Sequence, residues 1–567
     1  MCGINGFNWS DYGLIDKMNK KIKYRGPNHS GKYVDDSVSL GHVRLSILDL
    51  SEKGNQPMEY EFNGKKAVIT YNGEIYNFLE LKQELIKKGY EFNSNTDTEL
   101  ILASYLEWGF DCIKKFNGMW SFCIYDVDKK IFFCSRDRLG IKPFYYSFRN
   151  GKFVFSSEMK SILLALNNSP VNYEAIYNLF NYRVILGNKT LINEIKKLLP
   201  GEFLIFDLRN RKITLKKYWD VGCNDLIYDK NTILNKLKTL FESSVRYRLI
   251  SDVPIGVSLS GGLDSSLVTS IAYKYNNNLT AYTVGFGFEG DENKEAEETA
   301  HYLGINHKNI YVDIEKIKNN LDKIVFHLEE AAADPAIIPS YFIYKEIAKD
   351  VKVLLLGEGS DEIFGGYDEY KIFSLPIPNI FRKRIFEYLR KPFKEKLPLK
   401  NHIKYEPKIN YDGNLNDYLL TDLKNILPNF QLLRVDKLSM AHSLEARVPF
   451  LDYRLVEFAF KIPPKYKINK FTGKYILREV AKHYLPDFVI NRRKKTFFSP
   501  LDIIEDILLD EGREFAYDKV LNDIIDYNYF EKVINNYSNL KGRNKNRKRY
   551  ELFIWWLIEK SLRNFRI

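Results

Sequence analysis

The chain of 567 residues is long enough to form more than one domain, each with its own hydrophobic core. Its 45% of hydrophobic and 28% of charged residues are ordinary for a soluble globular protein. The net charge of +12 is small for this length and argues against a nucleic-acid-binding role, since the one dense basic segment, 541–549 (KGRNKNRKR), is typical of a solvated approach to a helix.

No apolar run in the sequence is long enough to span a bilayer, and no secretory leader follows Met1. The five cysteines form no C-x-x-C pair and are an odd set for a disulfide scaffold. We therefore expect a cytoplasmic protein with reduced thiols and with neither a membrane nor a nucleic acid as partner.

Strands dominate the predicted structure of the N-terminal half. Two helices are predicted at 78–88 and 100–108, the second one capped by Asp97 or Thr98. This pattern favours stacked antiparallel sheets with helices outside, an αββα sandwich. The predicted strands cover 1–7, 44–50 with Arg44 at its head, 67–77, 119–126, 131–136 and 152–157.

Cys2 is the first candidate catalytic residue. Removal of Met1 would leave a cysteine with a free α-amino group, which titrates near pH 8 and can accept the proton of the thiol. Nucleophile and base would then belong to one residue. A chain that begins Met-Cys is weak evidence by itself, so the interpretation depends on the residues that accompany Cys2.

Those residues resemble class II glutamine amidotransferases, which have an N-terminal nucleophile fold. The resemblance rests on Cys2, the loop 44–48 (RLSIL), 72–74 (NGE) and Asp97, with further matches at 135–146 and 156–160, and it extends over roughly residues 2–200. It implies that Cys2 attacks the amide of glutamine. The glutamine-binding residues would be Arg44, Leu45, Ser46, Ile47, Leu48, Asn72, Gly73, Glu74 and Asp97.

The functional groups of glutamine are consistent with these assignments. The Arg44 guanidinium can pair with the α-carboxylate of glutamine, and Asp97 can pair with its α-ammonium group. Asn72 and the Gly73 N–H can hold the oxyanion that forms when a thiolate attacks the amide, so both count as catalytic. Glu74 helps to bind the substrate. Asn28 is a small departure, because the family usually has Asp after Arg-Gly-Pro.

The pattern changes near residues 205–225, where a predicted strand pair (202–207 and 212–219) gives way to alternating strands and helices. That alternation is the signature of a parallel sheet with crossover helices, an α/β domain. We predict a glutaminase domain at 2–210 and a second domain at 225–567. The predicted parallel strands are 255–259, 279–286, 309–312 and 351–356.

The segment 257–266 (VSLSGGLDSS) has the arrangement that cradles phosphate: a buried strand, a glycine turn and a helix start. No lysine follows the glycines, so it is not the P-loop motif. An aspartate inside an anion cradle suggests Mg²⁺ between Asp264 and phosphate.

The segment 257–266 resembles the pyrophosphate loop of the ATP pyrophosphatase family. The predicted ATP-binding residues are Ser258, Ser260, Gly261, Gly262, Asp264, Ser265, Ser266, Val284, Leu356, Gly357 and Lys474.

A second glycine-rich loop, 356–367 (LGEGSDEIFGGY), follows a buried strand and should face the first, since ligands bind at the carboxyl ends of parallel strands. Asp361 would share Mg²⁺ with Asp264. Glu358 would stand where an attacking amine must lose a proton, which makes it a catalytic candidate.

The segments 434–452 (RVDKLSMAHSLEARVPFLD) and 474–479 (KYILRE) complete a resemblance to glutamine-hydrolysing asparagine synthetases that runs from Cys2 to about residue 500. It implies ATP-dependent amidation of aspartate through a β-aspartyl-AMP intermediate, releasing AMP and pyrophosphate. Lys474 would offset charge on the phosphates. Two departures affect the acceptor pocket: Leu356, where the family often has Ser, and 494–500 (KKTFFSP).

The sequence leaves some alternatives open. The same chemistry on another carboxylate, such as a uronic acid of a surface polysaccharide, is the runner-up. A β-lactam-forming relative ranks lower because such proteins lack the glutaminase cysteine. A non-catalytic nucleotide sensor also ranks low, since the catalytic residues are present. The oligomeric state stays undetermined, with a homodimer as one option.

Overall fold

The computed structural model describes residues 2–166, 169–223, 225–287, 291–393, 397–400, 409–493 and 501–565. Within these ranges the N-terminal half contains two antiparallel sheets of six strands each. The first has the order β10-β8-β9-β1-β3-β2 and the second the order β12-β11-β7-β6-β5-β4. The strands are β1 (Gly3–Phe7), β2 (His29–Val34), β3 (Ser39–Arg44), β4 (Met58–Phe62), β5 (Lys65–Ile75), β6 (Gly118–Asp126), β7 (Ile131–Arg136), β8 (Tyr145–Arg149), β9 (Lys152–Ser156), β10 (Ile195–Lys197), β11 (Glu202–Asp207) and β12 (Lys212–Lys217).

The two sheets pack face to face. A buried core between them includes Ile4 and Leu40 from one sheet and Val68 and Phe132 from the other. Strand β7 (IFFCSR) is buried along its whole length, because one face meets the other sheet and the other face lies under helices. The helices of this half are α1 (Tyr12–Lys21), α2 (Phe78–Ile86), α3 (Asp97–Trp108), α4 (Cys112–Lys115), α5 (Met159–Ile162) and α6 (Tyr173–Tyr182). The predicted αββα sandwich is confirmed.

The C-terminal half is built on a parallel sheet, which contains five strands among the described residues, in the order β15-β14-β13-β16-β17. Its central strand β13 leads into the 257–266 segment, and its neighbour β16 leads into the 356–367 loop. The two glycine-rich loops therefore leave the same edge of the sheet side by side, as parallel pairing requires. The strands are β13 (Ile255–Ser258), β14 (Thr280–Gly285), β15 (Asn306–Tyr311), β16 (Val353–Leu355) and β17 (Glu445–Arg447).

Helices cover this sheet and extend well beyond it, so the predicted α/β class of the second half is confirmed. The helices are α7 (Lys230–Tyr247), α8 (Leu263–Tyr275), α9 (Asn293–Leu303), α10 (Ile314–Lys318), α11 (Leu321–Leu328), α12 (Ile337–Ile347), α13 (Ser360–Phe364), α14 (Asn379–Arg390), α15 (Leu415–Asn425), α16 (Gln431–Met440), α17 (Tyr453–Phe460), α18 (Pro464–Lys467), α19 (Tyr475–Ala481), α20 (Asp487–Ile490), α21 (Glu505–Asp518), α22 (Tyr527–Asn535) and α23 (Gly542–Asn564). No helix in the described part of the chain is long and apolar enough to cross a membrane.

Three local predictions differ from the structure. Arg44 ends strand β3 instead of heading a strand, because residues 39–43 pair with β1, Arg44 itself pairs with His29 of β2, and the chain then leaves the sheet. The cap of α3 is Thr96, whose side chain accepts a hydrogen bond from the Glu99 N–H, so Asp97 and Thr98 already belong to the helix. The basic segment 541–549 forms the first turns of α23, where Lys545 and Arg549 pair with Glu505.

Strand β12 bears on the position of the domain boundary. It reaches Lys217 and pairs with β11 inside the second antiparallel sheet. The predicted glutaminase domain ended at residue 210, in the middle of this hairpin. We propose to place the boundary after Lys217, so that the hairpin stays within one domain.

Candidate active sites

Cys2 lies just ahead of β1, and its side chain is only 8% exposed. The Cys2 backbone N–H donates to Asn72 Oδ1 at 3.0 Å. The thiol lies 4.0 Å from the Leu45 carbonyl oxygen. Burial raises the pKa of the Cys2 thiol. A thiol of this kind needs a base to become a nucleophile, which suits a free α-amino group on the same residue.

Asn72 is oriented as an oxyanion donor requires. Its Oδ1 accepts from Cys2, while its Nδ2 is buried and has no hydrogen-bond partner among the described residues. A buried donor without a partner is costly, so a ligand atom that accepts a hydrogen bond there would be stabilised. Next to it, a Cβ on Gly73 would stand 2.1 Å from the Met119 carbonyl oxygen, which leaves room for glycine alone.

Two buried carboxylates lie near the nucleophile. Asp97 Oδ2 accepts hydrogen bonds from Tyr71 Oη and from the Ile75 N–H, each at 2.7 Å. Burial nevertheless raises the pKa of Asp97 to about 6. Burial, followed by the charges of Glu445 and Asp97, raises the pKa of Glu74 well above its usual value. An ammonium group bound between Asp97 and Glu74 would favour the ionised form of both.

Arg44 makes several contacts within its own loop that were not predicted. Its guanidinium donates to the carbonyl oxygens of Ser51, at 2.7 Å, and Leu48, at 3.3 Å, and to Asn55 Oδ1 at 3.0 Å. It also donates to the Asp49 carbonyl oxygen. Arg44 therefore holds the loop at 45–55 in shape around the pocket. Its role as a clamp for the glutamine carboxylate stays a prediction.

The loop 45–48 connects the pocket to other parts of the chain. The Ser46 N–H donates to Asn28 Oδ1 at 3.1 Å, so the asparagine that departs from the family pattern supports this loop. The Ile47 carbonyl oxygen accepts from the Asp252 N–H at 3.0 Å, and the Asp49 N–H donates to Asp252 Oδ2 at 2.8 Å. The glutamine loop is thus held by the segment that precedes β13.

No role was predicted for Arg25, which lies in the turn-rich segment 23–31 (KYRGPNHSG). It is fully buried. Its Nε donates to the Cys2 carbonyl oxygen at 3.1 Å, Nη1 to Glu158 at 2.6 Å and Nη2 to Asp436 at 2.9 Å. One side chain therefore contacts the nucleophile residue and helix α16 of the other half.

The second site is a cavity of about 980 Å³ at the carboxyl edge of the parallel sheet. Both glycine-rich loops line it. Of the predicted residues the lining includes Ser258, Ser260, Gly262, Asp264, Ser265, Leu356, Gly357, Glu358, Asp361 and Lys474. Gly261, Ser266 and Val284 are not among its lining residues, and 494–500 lies outside the described residues.

The first glycine turn is closely packed. Gly261 has φ +71°, and a Cβ there would stand 2.6 Å from the backbone of Glu295. Ser260 Oγ and Ser265 Oγ lie 2.9 Å apart. Gly262 caps the 13-residue helix α8, whose N-terminal N–H groups and positive dipole end face the cavity, an arrangement that favours an anion.

Asp264 and Asp361, which were predicted to share Mg²⁺, both contact the ammonium group of Lys474. Lys474 Nζ contacts Asp264 Oδ2 and lies 2.7 Å from Asp361 Oδ1. Although burial opposes the charge, the two carboxylates raise the pKa of Lys474. Ser360 Oγ donates to the other oxygen of Asp264 at 2.9 Å. The donor set therefore suits Mg²⁺, which takes one or two protein carboxylates and completes its shell with phosphate and water.

The described residues hold no group of three or more His, Cys, Asp or Glu side chains placed to bind a metal. Any Mg²⁺ at Asp264 and Asp361 would accordingly depend on oxygen ligands from the nucleotide. An Mg²⁺ ion that binds together with ATP takes most of its oxygen ligands from phosphate and water.

Glu358 faces the cavity beside Arg434, whose Nη2 lies 2.7 Å from Glu358 Oε1. Arg434 Nη1 pairs with Asp334. Arg434 begins the segment 434–452 that resembles the synthetases, but no role was predicted for it, and Asp334 was not predicted as a site residue. A single aspartate within an apolar run (AAADPAII) indicates a buried carboxylate that pairs with a cationic side chain, but the sequence alone does not identify that partner.

Glu362 was also missed. It is buried behind the loop and accepts hydrogen bonds from Tyr367 Oη at 2.6 Å and Gln431 Nε2 at 2.8 Å. Burial, together with the charge of Asp361, raises the pKa of Glu362 to about 7. Its side chain supports the wall of the cavity from behind.

Comparison with known proteins finds a family for each half of the chain. The family model described as asparagine synthase matches residues 236–560, and the model described as glutamine amidotransferase domain matches residues 1–219. The glutamine-hydrolysing asparagine synthetase 1 of Bacillus subtilis is 35% identical over 86% of this chain and 84% of its own length.

Two further relatives cover similar shares. Glutamine-hydrolysing asparagine synthetase 3 of Bacillus subtilis is 31% identical over 88% of this chain and 87% of its own length. The amidase chyE of Penicillium rubens is 28% identical over 88% of this chain and 89% of its own length. On the family match and the 35% identity, the chain belongs to the asparagine synthase family, ligases that carry out ATP-dependent amidation with nitrogen from glutamine.

Proposed function

We propose that this enzyme converts aspartate to asparagine, with ammonia released from glutamine at Cys2. The observation that carries the proposal is the second cavity, where two glycine-rich loops bring Asp264, Asp361 and Lys474 together next to Glu358. The relatives named as asparagine synthetases support aspartate as the acceptor.

At the first site, Cys2 Sγ attacks the side-chain carbonyl carbon of glutamine. A C–S bond forms, the oxyanion takes hydrogen bonds from Asn72 Nδ2 and the Gly73 N–H, and the C–N bond then breaks to release ammonia. The α-amino group of Cys2 accepts the thiol proton and passes it to the leaving nitrogen. Water hydrolyses the thioester to glutamate. Asp97 and Glu74 hold the α-ammonium group of the substrate during these steps.

At the second site, a β-carboxylate oxygen of aspartate attacks the α-phosphorus of ATP, and the bond to pyrophosphate breaks. The product of this step is β-aspartyl-AMP. The N-terminal end of α8 and the Lys474 ammonium group bind the phosphates and offset the negative charge that develops on them. Mg²⁺ bound by Asp264, Asp361 and the nucleotide would neutralise further phosphate charge.

Ammonia then attacks the carbonyl carbon of the acyl adenylate. Glu358 accepts a proton from the attacking nitrogen, and AMP leaves with the electron pair of the cleaved C–O bond. The Arg434 contact fixes the Glu358 carboxylate at the cavity wall. Ammonia has to pass from Cys2 through the interface that Arg25 and Asp436 bridge.

An acceptor screen tests the proposal. Purified enzyme with glutamine, ATP and Mg²⁺ is supplied with aspartate, glutamate, glucuronate or galacturonate, and pyrophosphate release and the amidated product are measured. Aspartate should give both signals. A uronic acid that gives them while aspartate does not would replace aspartate in the proposal. The amidase among the relatives is the reason to include acceptors other than amino acids.

A further inference from the structure

The glutamine pocket is closed on one side by a strand of the other half of the chain. Strand β17 (Glu445–Arg447) was not predicted, and it lies at the edge of the parallel sheet next to β16. Arg447 is fully buried. Its Nη2 points to the carboxylate of Glu74 and lies 3.8 Å from Glu74 Oε1. A residue of the ATP-binding half therefore contributes a charge to the glutaminase pocket.

The other donors of Arg447 hold the guanidinium in place. Its Nε lies 2.6 Å from Glu445 Oε1, and Nη1 donates to the carbonyl oxygens of Arg248, at 2.8 Å, and Ile250, at 2.7 Å. Nη2 alone has no hydrogen-bond partner within the described residues. A buried donor of this kind favours movement of an acceptor toward it, and the nearest carboxylate is that of Glu74.

The backbone of Arg447 is fixed as well. Its carbonyl oxygen accepts from the Leu356 N–H at 2.9 Å, and Leu355 pairs with it across the parallel ladder. A side chain whose backbone and three of its donors are restrained is preorganised, so it holds its charge at one position in the pocket.

Glu74 needs such a charge. The charged groups around it include Glu445 on β17, Asp97 on α3 and Arg447 on β17. Burial, Glu445 and Asp97 favour the neutral form of Glu74, whereas Arg447 favours the carboxylate. Only the carboxylate can pair with the α-ammonium group of glutamine.

We propose that Arg447 is a positioning residue of the glutaminase site: its guanidinium group holds the Glu74 side chain in the orientation that receives the α-ammonium group of glutamine. The proposal rests on the glutamine site described under the proposed function. The synthetase half would then take part in glutamine recognition without contacting the amide that reacts.

The test compares Arg447→Gln, which keeps a hydrogen-bond donor but removes the charge, with Arg447→Lys, which keeps the charge. Glutamine hydrolysis is measured between pH 5.5 and 8.5, and ammonia-dependent synthesis in the same preparations reports on folding. In Arg447→Gln the KM for glutamine should rise about tenfold, with a smaller change in kcat. The acid limb of kcat/KM should move to higher pH, and Arg447→Lys should restore most of the loss.

A substrate without the α-amino group provides a second readout. Wild-type enzyme should strongly prefer glutamine over 5-amino-5-oxopentanoate, and Arg447→Gln should lose most of that preference. Glu74→Gln should show the same loss by itself, so the proposal stays testable if Arg447→Gln does not fold. In the Glu74→Gln background, Arg447→Gln should add no further increase in KM.

The proposal would be overturned by an unchanged KM and pH profile in Arg447→Gln, by an additional tenfold loss in the double variant, or by a Glu74→Gln enzyme that still prefers glutamine. Equal loss of hydrolysis and ammonia-dependent synthesis, unrelieved by Arg447→Lys, would show a purely structural role and overturn it too. Failure of the proposed glutamine site is a separate outcome, since wild-type enzyme would then not hydrolyse glutamine, whereas a different acceptor would leave glutamine hydrolysis unchanged.

Discussion

Arg25 Nη2 lies 2.9 Å from Asp436 Oδ2, and both side chains are almost completely buried between the two halves of the chain. The same guanidinium donates to the Cys2 carbonyl oxygen. This ion pair belongs to a larger buried set in which Glu158 contacts Arg25 and Lys437, while Lys437 also contacts Glu329. The interface is therefore held by paired charges rather than by apolar packing alone.

Breaking that pair should destabilise the protein. Asp436→Asn leaves Arg25 with one carboxylate fewer in a buried environment, and losing one partner of a buried pair costs about 3–5 kcal/mol. We expect a lower midpoint of thermal unfolding, measured by differential scanning calorimetry. Lys114→Ala, which removes an exposed pair with Asp111, is the control and should leave the midpoint nearly unchanged. Equal midpoints for Asp436→Asn and wild type would contradict the assignment.

Asp264 should be needed for synthesis and not for glutamine hydrolysis. Asp264→Asn removes one of the two carboxylates at Lys474 and a proposed ligand of Mg²⁺. Pyrophosphate release with ATP and aspartate should fall below detection, while glutamate formation from glutamine continues. Asp350→Asn, at an exposed aspartate paired with Lys308, is a matched control. An Asp264→Asn enzyme with a normal synthesis rate and normal Mg²⁺ dependence would refute the role.

The glycine-rich loops of the second site could be predicted from the sequence because the residues that identify each loop are close together in the chain. The glycine turn at 261–262 and the strand before it lie within ten residues, and the parallel sheet then places the 356–367 loop beside it. Arg25 and Arg447 could not be predicted in the same way. Their partners Asp436 and Glu74 are several hundred residues away, and they meet only when the two halves dock. Arg44 was misplaced because alternation alone does not show where β3 leaves its sheet.

Glutamine binding should weaken as the pH falls through about 6. The raised pKa of Asp97 means that its carboxylate takes up a proton near pH 6, and a neutral acid no longer attracts the α-ammonium group of glutamine. At pH 5 roughly 90% of Asp97 would be neutral. Titration calorimetry with the Cys2→Ala enzyme, which should bind glutamine without hydrolysing it, measures the Kd at each pH.

The Kd should be nearly constant above pH 7 and should rise about tenfold between pH 7 and pH 5. Asp97→Asn in the Cys2→Ala background is the control: its Kd should be high and independent of pH in this range. A Kd of the Cys2→Ala enzyme that stays flat down to pH 5 would show that another group binds the ammonium.

Glu358 should act in the second half of the synthetase reaction. Glu358→Gln keeps the size of the side chain and removes the charge that accepts a proton. Asparagine formation should fall by roughly two to four orders of magnitude, the usual scale for a lost acid–base group. Exchange of labelled pyrophosphate into ATP, which reports on adenylation alone, should fall much less. A loss of asparagine formation below about threefold would limit Glu358 to its contact with Arg434.

The two-site architecture itself is tested at Cys2. If the thiol serves only to release ammonia, Cys2→Ala must abolish glutamine-dependent synthesis and leave the second site intact. Ammonium chloride at mildly alkaline pH should then restore the product, because free NH₃ is the same nucleophile however it reaches the adenylate. Cys123→Ala, at a buried cysteine in the sandwich core, is the matched control and should keep glutamine-dependent synthesis.

A peptide tag left ahead of Cys2 tests the base as well as the nucleophile. The tag converts the α-amine to an amide, which cannot accept the thiol proton, while the thiol itself is unchanged. Since burial raises the pKa of that thiol, little thiolate would form without a base. The tagged enzyme should therefore resemble Cys2→Ala: inactive with glutamine and active with ammonium. Protease removal of the tag up to Cys2 should restore glutamine hydrolysis. If the tagged enzyme hydrolyses glutamine at the normal rate, the α-amino group is not the base, and Cys2 must be activated by another residue of the pocket.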